Sequence, residues 1–348
     1  MGRTWALTGL VGIAAAATAV AHFAGAPSLL TFVIATVALA GLAWLVSFAT
    51  EQVGERYGPA VTGLLQSTLG NLPEFFIVIF ALSAGELVVA KASIVGSILA
   101  NALLVLGLVI IAGCRESSDG IMRFSSRLPR DNATLMMLAS FLIVILGISA
   151  ATDDKASHHV TAISIVGALT LLTAYAVWLY DYIRSDVKPE VAHAEPQVSL
   201  TLALVLLAVA GVGAAFVSDW FIKALTPAMK QVGIPKAFAG LVIVAIAGNA
   251  VENTTGIALA LKGRADLAIS VVTNSVAQIT AFLFPALVLV SLLFETSLTF
   301  AMAPVLIGAL ALTAVALFQI TGDGEGTTFE GVALIGLYVI LAVVTFFE

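Results

Sequence analysis

The chain has 348 residues, 60% of them hydrophobic and only 10% charged, with a formal net charge of -6. A soluble globular chain would carry about 25% charged residues, so composition excludes that class and points to an all-α polytopic membrane protein. The negative charges lie in short loops and make no case for nucleic acid, and the single cysteine, Cys114, excludes an internal disulfide and a Cys-rich metal site. Cys114 reads as a small apolar filler at a helix end.

A membrane-crossing helix needs about 20 mainly apolar residues. With charged residues and Gly/Pro clusters as breaks, eleven such segments follow in chain order: 5–23, 28–49, 59–84, 88–113, 132–150, 159–181, 199–217, 236–261, 266–293, 299–320 and 330–347. The first follows one arginine and is long for a signal-peptide core, so it reads as a retained helix. The polar stretch Ser185–Gln197, with Pro189 and Pro196, marks the midpoint. The expected organisation is a first helix (1–27), a five-helix repeat (28–184), a linker (185–198) and a second five-helix repeat (199–348). Ser218 to Lys236, with Asp219, Trp220, Lys223, Lys230 and two prolines, reads as an interfacial segment with Trp220 and the lysines at headgroup level. The acidic patches at Asp153-Asp154 and Asp323 to Glu330 read as solvated turns.

Lysine and arginine orient the chain. With the N-terminus cytoplasmic, Arg3, Arg56, Arg115, Arg123, Arg127, Arg130, Arg184, Lys188, Lys262 and Arg264 fall inside, against Lys91, Lys155, Lys223, Lys230 and Lys236 outside. That balance favours N-terminus in and C-terminus out. Because five is odd, the second repeat must enter the membrane upside down relative to the first, the pattern of inverted-repeat transporters.

Two stretches organise the rest: Gly70-Asn71-Leu72-Pro73-Glu74 and Gly248-Asn249-Ala250-Val251-Glu252. Overlaid, Gly70 meets Gly248, Asn71 meets Asn249 and Glu74 meets Glu252. Without a gap, Gly85 then meets Gly263 and Ser97 meets Ser275. Matching apolar residues would mean little in so apolar a chain, but Gly, Asn and Glu are costly inside a bilayer. A buried ionised acid costs about 3 kcal/mol or more on insertion scales, and intramembrane acids are functional by default.

The flanks suggest what the acids do. Gly70 and Gly248 weaken the helix, and Pro73 cannot donate a backbone hydrogen bond. A broken helix exposes carbonyls, which is tolerated at membrane depth only where they are buried or line a cavity. Glu74, Glu252, the amides of Asn71 and Asn249 and the carbonyls of Gly70 and Gly248 would together make an all-oxygen cage. That is the ligand set of a hard cation, of which calcium takes about 6–8 oxygens. The helices carry no His or Cys cluster for a softer metal. His158, His159 and His193 fall in loops and His22 near a helix end, where each reads as a surface histidine.

Two carboxylates neutralise one divalent cation. Without it, burial and mutual repulsion raise their pKa values, so protons are the natural replacement, taken up by the pair as a coupled unit. A site neutral with a divalent cation or with protons, but not when empty, is the basis of obligatory exchange, whereas a channel needs a continuous pore. The following helix of each stretch adds Ser97 and Asn101, then Ser275 and Gln278, each pair on one helix face. For Ser97 and Ser275 packing and ligation are equally open; for Asn101 and Gln278 a site role is expected, since a long amide is a poor packing residue in lipid.

At this point GNLPEFFIVIFAL with KASIVGSILANALLVLG, and GNAVENTTGIALAL with DLAISVV, resemble the two alpha-repeats of the calcium/cation antiporter superfamily, most of all its cation/proton exchanger (calcium/proton antiporter) family. The resemblance covers essentially the whole membrane domain. It implies eleven helices, inverted repeats and exchange of Ca2+ for H+, with Glu74 and Glu252 as carriers of cation and proton. Asn71 and Asn249 would be supporting ligands, and Asn101 and Gln278 would line the site. The chain departs from the pattern at Leu72-Pro73, at Gln66, at Ala245, at Asn274 in place of a usual Gly, and at Asn253 in place of a usual His. The loss of that imidazole leaves the cation open between Ca2+ and Na+, K+ or Mn2+. The short tails and weakly acidic linker suit a prokaryotic cytoplasmic membrane.

The expectation is therefore an antiporter that extrudes Ca2+ in exchange for H+, with a monovalent-cation or Na+-coupled exchanger as the alternative and a cation channel behind it. An intramembrane hydrolase is disfavoured, because HExxH and a two-aspartate dyad are both missing from the helices. No enzymatic activity, cofactor or nucleic-acid partner is expected; Ca2+ and H+ are substrates, the bilayer is the surroundings, and a homo-oligomer is possible.

Overall fold

A computed structural model describes residues 2–57, 65, 69–184 and 196–347. The described chain is helical almost throughout. In order, the helices are α1 (Gly2–Phe23), α2 (Ser28–Tyr57), α3 (Leu72–Ser83), α4 (Leu87–Glu116), α5 (Arg127–Thr152), α6 (Val160–Arg184), α7 (Leu200–Val232), α8 (Lys236–Gly248), α9 (Ala250–Ala260), α10 (Ala265–Ser291), α11 (Pro304–Thr321) and α12 (Thr328–Phe347). Two short strands, β1 (Ile121–Arg123) and β2 (Glu325–Thr327), pair antiparallel with Met122 opposite Gly326.

Among the described residues nine helices are long and apolar enough to cross a membrane, or ten if α8 and α9, bent by 59° at Asn249, form one span. Loop contacts bear on the bent pair by parity, since loops that touch lie at the same face and are separated by an even number of crossings. The Gln197 backbone N–H donates to Gln52 Oε1 (2.6 Å). Between them run α4, α5, α6 and α3; α3 is a shorter apolar helix of 12 residues, and residues just before it lie outside the described set. The β1–β2 ladder, and the Ser125 N–H bond to Asp266 Oδ1 (2.6 Å), require α8 and α9 to count as a single crossing. Among the described residues the count is therefore ten, with α3 lying at the end of the remaining segment read from the sequence.

The chain folds as two compact units, one of Met1–Ser93 with Ala192–Val251, the other of Ile94–Val191 with Glu252–Phe347. The units do not coincide with the sequence repeats; each takes part of both. In the first, α2 and α7 form the main packed pair, with α1 and α3 against them. Phe32 stacks on Phe221 (5.0 Å), and the His22 ring stacks on Trp220 (5.7 Å). In the second, α5 packs on α11 and α4 on α12. Close approach there depends on small residues: a Cβ on Gly107 would meet the Gly331 carbonyl at 2.6 Å, the contact that small residues permit between membrane helices. Cys114 is buried at the end of α4, and its thiol donates to the Gly326 carbonyl (3.1 Å).

Residues 218–232 continue the preceding helix rather than starting a new segment: α7 runs unbroken for 33 residues to Val232, through Pro227. The charges that suggested a break are spaced one turn apart, with Lys223 paired to Asp219 (2.7 Å), while Ser218, Phe221, Ile222, Leu225, Ala228 and Met229 form a buried stripe at helical spacing. The helix stops at Gly233, whose left-handed conformation (φ +69°) suits only glycine comfortably.

The repeats are visible in local geometry. The turns after α3 and α9 superimpose in kind: Gly85 and Gly263 both have positive φ (73° and 70°), with the N–H of Glu86 on the Ala81 carbonyl and that of Arg264 on the Leu259 carbonyl. Five crossings, α4 to the α8–α9 pair, separate them, so the equivalent turns face opposite sides and the repeats are inverted.

Candidate cation-binding site

Each glutamate sits in the first turn of a helix that starts immediately after an asparagine. Asn71 precedes α3 with φ -95° and ψ 24°. Asn249 precedes α9 with φ -96° and ψ 19°. Both fall in the sparsely populated bridge region, and one unusual conformation recurs at matched positions of two repeats. Pro73 lies in the first turn of α3, where a missing N–H costs nothing because no helical acceptor precedes it. The chain breaks at the Asn, and the new helix points its N-terminus at the acid. That end carries partial positive charge, which favours a carboxylate.

In the first unit, Asn71, Glu74 and Asn249 are buried at 3%, 6% and 0% exposure. The Asn249 Nδ2 donates to the Ala245 carbonyl (2.9 Å), which turns the amide oxygen the other way. Glu74 lies against Gly248: a Cβ there would come within 2.8 Å of Glu74 Oε1. The glycine read from sequence as a helix breaker therefore also provides the space the acid occupies. Gly70 is half-buried in the turn before Asn71.

In the second unit, Glu252 lies in the first turn of α9. Ser97 and Asn101 are buried on α4, and Ser275 on α10. Asn101 Nδ2 donates to Ser275 Oγ (3.1 Å), so two candidates from different repeats are in direct contact. Asn101 lies in a π-helical segment, Ala100–Val105. Gln278 is half-buried immediately before another, Ile279–Leu283. Such wide turns are frequent at functional sites, and these two begin at nearly the same place in the two repeats. Sequence periodicity carries no signal for them.

Two polar features escaped the sequence reading. Asn132 on α5, placed there at the start of a span, is fully buried and donates through Nδ2 to Asn274 Oδ1 (3.1 Å). In the first unit Lys236 Nζ contacts both carboxylate oxygens of Glu86 (2.7 and 2.6 Å), and Thr226 Oγ1 adds a third bond (2.8 Å). Burial alone would push the Glu86 carboxyl up, but Lys236 and Thr226 outweigh it and hold it below 4.5.

The sequence profile of the sodium/calcium exchanger protein family matches residues 27–182 and 202–347. The chain is 31% identical over 326 residues to the Ca(2+)/H(+) antiporter ChaA of Bacillus subtilis, covering 91% of this chain and 92% of that one. It is 30% identical over 327 residues to the vacuolar calcium ion transporter of Schizosaccharomyces pombe, covering 91% and 79%. Among solved structures, native YfkE is similar over 98% of this chain and 100% of its own, with a TM-score of 0.83 and 28% identity.

Proposed function

The chain belongs to the sodium/calcium exchanger protein family, and on that footing we propose that it is a secondary active antiporter, moving Ca2+ out and H+ in by alternating access at one site built on Glu74 and Glu252. The observation that carries the reading is the matched placement of the two acids. Each stands in the first turn of a helix entered through an Asn of the same backbone conformation. The names of the B. subtilis and S. pombe relatives support calcium as the cation, and the former supports the proton as its counter-ion.

In this reading the two carboxylates, with the amide oxygens of Asn71 and Asn249 and carbonyls at Gly70 and Gly248, hold the ion, while Ser97, Asn101, Ser275 and Gln278 line it. One Ca2+ balances two carboxylates. When it leaves, two charges in a poorly solvated place repel each other, and protons replace it. The loaded and the protonated site are both close to neutral and can be carried across the barrier; the empty, doubly charged site cannot, which couples the two fluxes. Neither ion is a resident cofactor; both are substrates. The arginine-rich loops support a cytoplasmic N-terminus, and the bacterial relative supports the cell membrane of a prokaryote.

The test is flux. In reconstituted vesicles an imposed proton gradient should drive 45Ca2+ movement without Na+, and Glu74→Gln or Glu252→Gln should each reduce it to background. Na+-dependent, proton-independent flux would contradict the proton coupling, and normal transport by both variants would remove the site assignment.

A further inference from the structure

Helix α10 is mostly buried, yet one of its faces is polar and partly open. Asp266, Ser270, Asn274 and Gln278 follow one another at four-residue spacing, which places them on one stripe of the helix. Asp266 is exposed and the other three are half-buried, while Ile269, Thr273, Ser275 and Val276 between them are buried. Polar side chains at membrane depth that are not sealed in protein face a water-filled cavity, because facing lipid costs too much. The stripe starts at the membrane face where α10 begins and climbs about 18 Å to Gln278 at 1.5 Å per residue. The matched stretch of the first repeat has Val88, Ala92, Gly96 and Ala100 in these positions, so the polar track exists on one side only.

Asn132 stands opposite the third step of this track. It is 0% exposed and its Nδ2 is engaged by Asn274 Oδ1, but its buried Oδ1 has no hydrogen-bond partner among the described residues. Nearby hydroxyls satisfy themselves: Thr134 Oγ1 donates to the Arg130 carbonyl and Thr273 Oγ1 to the Ile269 carbonyl. A buried acceptor left unmet costs about 1–3 kcal/mol, a poor choice for residues whose only task is to join two helices. One turn further on, α5 and α10 pack through apolar residues, with Leu135 against Ala277 and Ala281. The amide pair is thus a single polar step beside an otherwise apolar seam.

We propose that Asn132 and Asn274 form a second, neutral station for a divalent cation that still carries some of its water, on the route between the paired-glutamate site and the membrane face where α5 and α10 begin. The inference rests on the antiporter reading above. Two amide oxygens are hard ligands of the type calcium accepts, and without a carboxylate they bind weakly. A waypoint must be weak, since an ion has to leave each step as readily as it enters. Asp266, at the mouth of the stripe, adds a negative charge that concentrates cations there.

Two substitutions test the station in proteoliposomes of known sidedness, with Ca2+ as the probe. Asn132→Leu keeps the shape and removes the oxygen. The apparent KM for Ca2+ supplied at the α5/α10 face should rise by about threefold to tenfold, with the KM at the other face unchanged. Asn132→Asp adds charge in the same shape, so KM at that face should fall and Vmax with it, because the ion is held. A Ca2+ KM unchanged in both variants with a lowered Tm would overturn the proposal in favour of a packing role, as would equal KM changes at both faces. If Asn132→Leu does not fold, Asn132→Asp decides alone, an unchanged KM again overturning it. Failure of the antiporter reading shows itself separately, as wild-type protein without proton-driven Ca2+ flux.

Discussion

At the scale of single residues, Gly248 shows how little room the candidate site has. Adding one methyl group would place a carbon 2.8 Å from Glu74 Oε1 and 3.1 Å from its carboxyl carbon, so Gly248→Ala must displace the acid. Overpacking of this kind costs about 1–3 kcal/mol, and here it falls on a proposed ligand of the cation. Ca2+ flux should drop about tenfold or more while the protein still folds. Gly12→Ala, where an added Cβ meets nothing within 4 Å, should leave flux unchanged; parallel uptake assays on the two variants check both outcomes. The two Gly-Asn-x-x-Glu frames were legible in the sequence because polar residues stand out in an apolar chain. The clearance at Gly248 was not, since it depends on a partner far away along the chain. Asn132 was missed for a similar reason: at the edge of a span, an Asn beside an Asp looks like the end of a loop.

At the scale of elements, helix breaks and wide turns do the positioning. The 59° bend at Asn249 and the π-helical segments of α4, α8 and α10 aim side chains that a straight helix would carry elsewhere. In α8 the wide turn brings Gly240 so near α4 that an added Cβ would lie 2.8 Å from Ala92 Cβ. Ten of the eleven segments read from hydropathy have a described helix over most of their length, and α3 covers the end of the remaining one. What hydropathy misjudged was length, as at α7, because charged residues one turn apart continue a helix as readily as they end one. The turn after α3 is tied to the start of α8 by Glu86, Lys236 and Thr226. Glu86 has a lowered pKa in the folded state, so its contribution to stability is complete above the ordinary value of 4.5 and drains away as pH falls through the lowered one. Both partners are partly exposed, so the contribution is about 1 kcal/mol. Lys236→Met should therefore lower the thermal midpoint at pH 7, with the gap to wild type closing toward pH 3; a gap independent of pH would contradict the ion pair as its cause.

At the scale of the whole molecule, the proposed mechanism needs inverted repeats, which would make the two acids complementary rather than redundant. The odd number of crossings between Gly85 and Gly263 puts equivalent turns on opposite faces, and cysteine labelling reads this directly. With Cys114 replaced by Ser, single cysteines at the exposed positions Ser83 and Lys262 should react with membrane-impermeant reagents from opposite sides. Labelling of both from one side would contradict the inverted topology. This level was legible in the sequence through the repeat frame and the five-helix spacing. How the repeats are shared between two compact units was not, because it depends on packing among helices distant in sequence.

The central claim is that cation and protons compete for the same two carboxylates, and proton release on Ca2+ binding tests it most directly. Weakly buffered, detergent-solubilised protein should release protons when Ca2+ is added, up to about two per ion at a pH where both acids are protonated, and progressively fewer as pH rises. Glu74→Gln and Glu252→Gln should each reduce the release, and the double variant should abolish it. Ca2+ binding with no proton release at any pH, or release unchanged in the double variant, would contradict the account.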